Sequence, residues 1–169
     1  MSNKATIIDV LLGLLAGANL IETDYPLSLS SKGLILQLKT KGFDPKIDHV
    51  ARLKSVFSGV MSISDADLQL ALIADKLNEK QLTVDLTICQ RSYRWNEAPL
   101  LPNCQCYTCL HYSRSYLYHL FEVQEMNANI LAAIHNMKVY DDLIGLFAGV
   151  SSGEEMRNLV AWVMVENFN

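Results

Sequence analysis

The feature that most constrains this chain is a cluster of cysteines. Three of its four cysteines fall within six residues, in the run Cys104-Gln105-Cys106-Tyr107-Thr108-Cys109. Two cysteines separated by one residue rarely form a disulfide with each other, because the short ring strains the S–S geometry. Clustered thiolates are typical of a metal site in a reducing compartment, so we expect this loop to curl around an ion. The fourth cysteine, Cys89, stands alone and is expected to be a small buried residue.

A tetrahedral zinc ion takes four thiolate or imidazole ligands. The chain offers four histidines for the fourth position, namely His49, His111, His119 and His135. His111 is too near the cysteine loop, His119 is possible, and a solvated or core side chain is preferred for His49. His135 is favoured because it follows Leu131 by one turn on the same face of a long predicted helix. Such a closed Cys3His site leaves no position for water, so the zinc would be structural. A buried free-thiol cluster and an iron–sulfur site lacking one cysteine are the alternatives.

The composition is globular, with 169 residues of which 50% are apolar and 19% charged. The net charge of −4 argues against a protein whose whole surface binds nucleic acid. Positive charge is concentrated between residues 32 and 54, a stretch that contains six lysines and arginines but only two aspartates. This basic stretch is a candidate phosphate contact, and a solvated face is the alternative.

The N-terminal apolar run ends in Ala16-Gly17-Ala18, which is typical of a signal-peptide cleavage site. However, Asp9 interrupts the run, which is also too short to span a bilayer. A helix over residues 6–16 that is apolar nearly all round, and hence buried, is the preferred interpretation. Gly17 is expected close to its end.

Periodicity along the chain predicts few strands and a helix-rich tail. The strand candidates are residues 20–22, 34–39 and 83–88, with a serine-rich turn after Pro26. The helix candidates are residues 47–60, a segment starting at Ser64, residues 113–120, residues 122–147, and a last helix opened by a capping box of Ser151 and Glu154. These strands are too few to close a sheet of their own, so the chain is expected to be part of a larger architecture.

The zinc-ligand spacing carries a family resemblance. The run Cys104-x-Cys106-x-x-Cys109, followed by 25 residues and His135, resembles the zinc motif of queuine tRNA-ribosyltransferases, also called tRNA-guanine transglycosylases. The flanking runs Tyr112–Leu117 and Ile134–Asn136 agree with it. The resemblance is strong over residues 83–147, weaker over 5–38 and poor over 40–82.

This resemblance implies an α/β fold, specifically the C-terminal portion of a (β/α)8 TIM barrel that carries a helix-rich structural zinc subdomain. Residues 1–85 would be a partial barrel segment, and residues 86–169 the zinc-binding subdomain and C-terminal helices. A full barrel takes about 250 residues or more. The chain is therefore expected to be a short isoform, a truncated relative or a fragment.

The family exchanges guanine at the tRNA wobble position for queuine or a precursor, and its catalytic members use an aspartate nucleophile followed by Pro-Thr-Arg. In the matching stretch of this chain Glu22 occupies the nucleophile position, and Ser28 replaces the arginine. Glutamate is one methylene too long, and a misplacement of ~1 Å can cost on the order of 100-fold in rate. Asp24 is a poor substitute for the nucleophile, because it lies two residues further along the chain and its carboxylate would sit at a different depth. The resemblance therefore implies the non-catalytic accessory subunit of the eukaryotic heterodimeric enzyme.

The accessory-subunit interpretation implies a catalytic tRNA-guanine transglycosylase subunit as partner, with tRNA bound through the complex. Helices 113–147 would be the partner surface and the basic stretch 32–54 the tRNA contact, and a homodimer when the chain is alone is left open. The implied location is the cytoplasm, with peripheral attachment to the mitochondrial outer membrane. Two alternatives are a stand-alone zinc-dependent interaction module and an active transferase that uses Glu22 or Asp24.

Overall fold

The computed structural model describes residues 6–39, 41–56 and 85–167. In chain order, the elements are α1 (Ile7–Leu15), α2 (Tyr25–Ser30), β1 (Leu34–Leu36), α3 (His49–Val56), β2 (Asp85–Thr87), a 3-10 turn (Arg91–Tyr93), α4 (Tyr107–His111), α5 (Arg114–Glu122), α6 (Met126–Phe147) and α7 (Gly153–Asn167). Helices dominate these residues, which fits the predicted α/β class. No described helix is long and apolar enough to cross a membrane.

The chain forms two compact units. Of the described residues, the first unit contains 6–23, 39, 41–56 and 143–167, and the second contains 24–38 and 85–142. Helix α6 contributes residues to both units. The predicted division after residue 85 stays a prediction.

The second unit is built on a small antiparallel sheet. Strand β1 pairs with β2, and Ile35 lies opposite Leu86. The helices α5 and α6 share a buried apolar cluster with this sheet, formed by Ile35, Ile88, Leu100, Leu117, Leu120, Ala128, Leu131 and Ala132. Because this cluster joins β1 to α6, it fixes the strand against the face of the helix that carries His135.

The first unit contains helices α1, α3 and α7. Helix α1 begins with a capping box in which Thr6 and Asp9 bond each other's backbone amide groups. Helix α7 has a continuous buried run from Leu159 to Val165. On its exposed side, Glu166 forms ion pairs with Arg52 at 2.9 Å and with Lys39 at 3.6 Å.

Several sequence predictions are confirmed. The predicted strands 34–39 and 83–88 appear as the shorter β1 and β2, and the helices predicted over 113–120 and 122–147 appear as α5 and α6. Gly17 follows the end of α1 with a φ of 81°, a value that glycine adopts without strain. Helix 47–60 appears as α3, although residues 57–60 and the helix predicted from Ser64 lie outside the described residues.

Other predictions were wrong. Residues 20–22 form no strand, and the segment after Pro26 is helix α2 rather than a turn, because proline suits the first turn of a helix. Helix α1 is buried on one side only, since Leu12 and Leu14 are half-buried. Cys89 is exposed rather than buried.

The predicted capping box was displaced by one residue. The amide of Glu155 donates to Ser152 Oγ at 3.1 Å, and the amide of Ser151 donates to Glu155 Oε2 at 3.4 Å. The cap is therefore Ser152 with Glu155 rather than Ser151 with Glu154, because the helix begins at Gly153.

Candidate metal centre

Four potential metal ligands converge in the second unit. Cys104 and Cys106 lie in the loop before α4, Cys109 lies within α4, and His135 lies on α6. Their ligand atoms all lie within 4.8 Å of one another. His135 Nδ1 is 3.7 Å from Cys104 Sγ, 3.5 Å from Cys106 Sγ and 3.3 Å from Cys109 Sγ. The predicted ligands therefore form one compact group that can hold one metal ion.

The spacing of this group fits a four-coordinate ion. Zinc–sulfur bonds of ~2.3 Å and zinc–nitrogen bonds of ~2.0–2.1 Å at tetrahedral angles place sulfur and nitrogen ~3.6 Å apart. The three distances from His135 Nδ1 bracket that value. Cys106 and His135 are buried, whereas Cys104 and Cys109 are partly buried. Three sulfur atoms and one imidazole are a donor set that favours a soft or borderline ion over calcium or magnesium.

Local hydrogen bonds shape the cysteine loop. Asn103 has a φ of 62°, in the left-handed region that asparagine tolerates, and it turns the chain just before Cys104. Cys106 is the N-cap of α4, where its Sγ accepts a hydrogen bond from the Cys109 amide at 3.3 Å. The buried hydroxyl of Thr108 donates to Leu131 O at 2.7 Å and so ties α4 to α6. The loop and the histidine helix are therefore joined independently of any ion.

His135 is oriented by the backbone of β1. Its Nε2 lies 3.0 Å from Leu36 O, and a carbonyl oxygen can only accept, so Nε2 carries the proton. The lone pair of Nδ1 is then directed at the three sulfur atoms. Metal-binding histidines are commonly fixed in this way by a bond from the second ring nitrogen. The tautomer that a metal requires is therefore set by the fold.

The next residue of α6, Asn136, binds the backbone amide of the same strand residue, Leu36. The Leu36 amide donates to Asn136 Oδ1 at 2.9 Å. The Asn136 amide group in turn donates to Leu34 O at 3.0 Å and to Ser30 Oγ at 3.1 Å, and it is also 3.2 Å from Pro26 O. Asn136 is fully buried. Adjacent residues of α6 thus clamp β1 at both its donor and its acceptor.

We expect Asn136→Ala to lower the free energy of unfolding by about 3 kcal/mol. The substitution leaves buried amide and carbonyl groups of β1 without partners, at about 1–3 kcal/mol for each group. Denaturant unfolding of the zinc-loaded chain measures the loss. Asn127→Ala, at an exposed position of the same helix, should change stability by under about 0.5 kcal/mol. Equal effects of the two substitutions would contradict the clamp.

The three thiols differ in acidity in the absence of an ion. A hydrogen bond from the Cys109 thiol lowers the pKa of Cys106 to about 4. That hydrogen bond and burial raise the pKa of Cys109, and burial raises the pKa of Cys104. At neutral pH the group therefore holds one thiolate and two thiols, whose protons a metal ion must displace.

The other candidate residues lie outside this group. His111 and His119 are exposed. His49 is buried in the first unit, and its Nε2 lies 3.1 Å from Asp44 O, so the core interpretation is confirmed. Glu22 and Asp24 are exposed, and the backbone between α1 and α2 is irregular.

Sequence reasoning missed Leu36, Asn136 and Thr108. Leu36 acts through its backbone, which side-chain identity does not reveal. The partners of the two polar side chains are 23 or more residues away. Their polar character at buried helical positions was the one available signal.

The fold and the site define an α/β protein with a compact ligand group able to hold one metal ion. The family model described as queuine tRNA-ribosyltransferase matches residues 5–147. The chain therefore belongs to the queuine tRNA-ribosyltransferase family, as the ligand spacing predicted.

Named relatives agree with this assignment. The queuine tRNA-ribosyltransferase of Blochmanniella pennsylvanica is 30% identical over 152 residues, which cover 88% of this chain and 34% of the relative. That of Acinetobacter baylyi is 49% identical over 51 residues, 30% of this chain and 13% of the relative. That of Pseudomonas putida is 41% identical over 71 residues, 42% of this chain and 18% of the relative. The chain thus spans about a third or less of the length of these relatives.

Proposed function

We propose that this chain is a non-catalytic, zinc-binding subunit of a tRNA-guanine transglycosylase heterodimer that exchanges guanine for queuine at the tRNA wobble position. The observation that carries the proposal is a contrast within one chain. The four metal ligands are all present and converge, whereas the position of the nucleophilic aspartate holds Glu22. A chain that keeps the structural centre and departs at the reacting residue is suited to support rather than to chemistry.

We assign structural zinc to the four ligands. A Cys3His donor set with four-coordinate spacing is typical of closed zinc sites, which supply folding energy and leave no position for a reacting water. When bound, the ion would fix the cysteine loop to α6 and, through His135, to β1. The corresponding architecture is the C-terminal portion of a (β/α)8 barrel with a zinc subdomain.

The surroundings of Glu22 support the non-catalytic assignment. Covalent glycosyl transfer requires a carboxylate held within attacking distance of the ribose carbon. Glu22 and the nearby Asp24 are exposed side chains on irregular backbone between two helices. Neither side chain is enclosed by the pocket that such a nucleophile needs to exclude water.

An apolar stripe on α6 supports a partner surface within residues 113–147. Met126, Ile130, Ile134 and Met137 recur at helical spacing and are 74%, 48%, 37% and 50% exposed. All four lie in the second unit, on the helix that carries His135. Contiguous apolar side chains of this kind mark protein-binding sites. We therefore propose that the catalytic subunit covers this stripe and that tRNA is bound through the complex, with the basic stretch 32–54 as a further tRNA contact.

The first test is capture of partners by the zinc-loaded chain from cytosolic extract, with identification by mass spectrometry. Recovery of a catalytic tRNA-guanine transglycosylase supports the proposal. Failure of a folded, zinc-replete chain to recover it would favour a stand-alone zinc-dependent interaction module. Guanine exchange by the chain alone would instead favour an active transferase that uses Glu22 or Asp24. The proposed location of the complex is the cytoplasm and the surface of the mitochondrial outer membrane, which fractionation tests.

We expect Ile130→Asp to weaken binding of the catalytic subunit by about 10-fold or more, because it buries a charge in the apolar centre of the interface. Calorimetry with purified subunits measures the effect. Asn129→Asp places the same charge on the adjacent residue, off the stripe, and should change the affinity by less than about threefold. Equal losses would show that the stripe is not the interface. Sedimentation of the chain alone tests whether the same stripe forms a homodimer.

A further inference from the structure

The loop between β2 and the cysteine cluster presents one aromatic ring to solvent. Trp95 is 82% exposed, and it is the one large apolar side chain exposed among residues 85–106. Four other apolar residues of this segment, Leu86, Ile88, Tyr93 and Leu100, pack into the core of the second unit. A tryptophan side chain is usually stabilised by burial, and Trp95 lacks that burial. Its exposure therefore indicates a binding role.

The backbone beside Trp95 is held by the start of α5. The amide of Ser115 donates to Asn96 O at 2.8 Å, and the amide of Arg114 donates to Ala98 O at 2.9 Å. The Arg114 guanidinium donates to Pro99 O at 2.9 Å and to Leu100 O at 3.0 Å. The preceding Tyr93 packs against the apolar core. Trp95 is therefore presented from a supported loop, which lowers the entropic cost of using it in binding.

Positive charge lies beside the ring. The Arg94 guanidinium carbon lies 5.2 Å from the centroid of Trp95, within the range of a cation–π contact. Arg91 and Arg94 are both exposed, and Glu97 is the one carboxylate between residues 86 and 103. Between residues 86 and 103 two arginines therefore outnumber one carboxylate, in a chain whose net charge is −4.

We propose that Trp95, Arg94 and Arg91 form a contact for an unpaired stretch of RNA. Trp95 stacks on one base, and the two arginines bind the flanking phosphates. Single-stranded RNA is recognised by this combination of an aromatic platform and positive charge. A protein interface instead needs a continuous apolar centre, which this loop lacks. The identification of the RNA as tRNA rests on the function proposed above.

Intrinsic fluorescence tests the contact directly. The chain has two tryptophans, and Trp162 is buried in the first unit, so Trp162→Phe leaves Trp95 as the single reporter. We expect a synthetic RNA hairpin carrying a tRNA anticodon loop to quench Trp95. A fully paired RNA duplex of the same charge should quench it far less, because its bases are not free to stack. In the matched control Trp95→Phe, the emission of Trp162 should not respond to the hairpin.

Substitutions give the expected magnitudes. Trp95→Ala should weaken hairpin binding by about 10-fold, the order found for one base–aromatic stack. Arg94→Gln should lower the slope of log Kd against log salt by about 0.7, the value for one phosphate contact on a single strand. Arg157→Gln, at a partly exposed arginine of α7 outside this loop and outside the basic stretch 32–54, is the control for general charge. No quenching of Trp95 by the hairpin, or full hairpin affinity in Trp95→Ala, overturns the inference.

Partner capture separates this inference from the proposed function. If Trp95→Ala no longer captures the catalytic subunit but binds the hairpin with unchanged affinity, the loop is a protein contact and the RNA assignment is overturned. Quenching of Trp95 by the hairpin in a chain that binds no catalytic subunit supports the RNA contact while it contradicts the accessory-subunit proposal.

Discussion

Replacement of Cys106 by serine is expected to abolish stoichiometric zinc retention and to lower the stability of the second unit sharply. Cys106 is the buried thiol of the group, and it is also the N-cap of α4. A neutral serine hydroxyl replaces a thiolate ligand poorly, and the loss of one ligand is expected to weaken binding by on the order of 1,000-fold. Because binding and folding are coupled at such sites, the melting temperature should fall with the metal content.

Metal analysis after dialysis and thermal unfolding measure these two quantities for Cys106→Ser. The matched control is Cys89→Ser, since Cys89 is exposed and lies outside the ligand group. It should keep one zinc per chain and an unchanged melting temperature. A Cys106→Ser chain that retains zinc through extended dialysis would show that the closed Cys3His site is wrong. Loss of zinc with no change in partner capture would separate the metal centre from the partner surface.

The part of the site that lies close in sequence was predictable. Cys104, Cys106 and Cys109 fall within six residues, and their side-chain chemistry alone indicates metal binding. The fourth ligand required more, because helical position favoured His135 but did not exclude His119. The family spacing selected His135, and the geometry brings its Nδ1 within 3.7 Å of all three sulfur atoms.

Long-range hydrogen bonds were not predictable from local pattern. The bond from His135 to Leu36 O spans 99 residues, and that from Asn136 to Pro26 O spans 110. Helix α2 was missed because Pro26 and three nearby serines are typical of a turn. In the structure Ser30 Oγ donates to Pro26 O and accepts a hydrogen bond from the Asn136 amide group, and both bonds support a helix there. The capping box was displaced because Ser151-Ser152 and Glu154-Glu155 offer two equivalent registers. In each case a tertiary contact or the first residue of a helix decided between local alternatives.

Zinc affinity is expected to fall by about 100-fold for each pH unit of acidification from neutral pH. The sign follows from the protons in the metal-free group. The raised pKa values of Cys104 and Cys109 keep both thiols protonated at neutral pH, whereas the pKa of Cys106 at about 4 leaves it ionised. Zinc binds three thiolates, so it releases two protons, and each proton changes the affinity by about tenfold per pH unit. Acid therefore favours the metal-free chain.

Competition with a chromogenic chelator of known pH dependence, followed between about pH 8 and pH 6, measures the number of protons that zinc displaces. A slope of about two in log Kd against pH matches one thiolate and two thiols. A slope of about three would mean that Cys106 is also protonated in the metal-free chain, and that the hydrogen bond from Cys109 does not stabilise the Cys106 thiolate. A slope near zero would mean that all three thiols are ionised before the ion arrives.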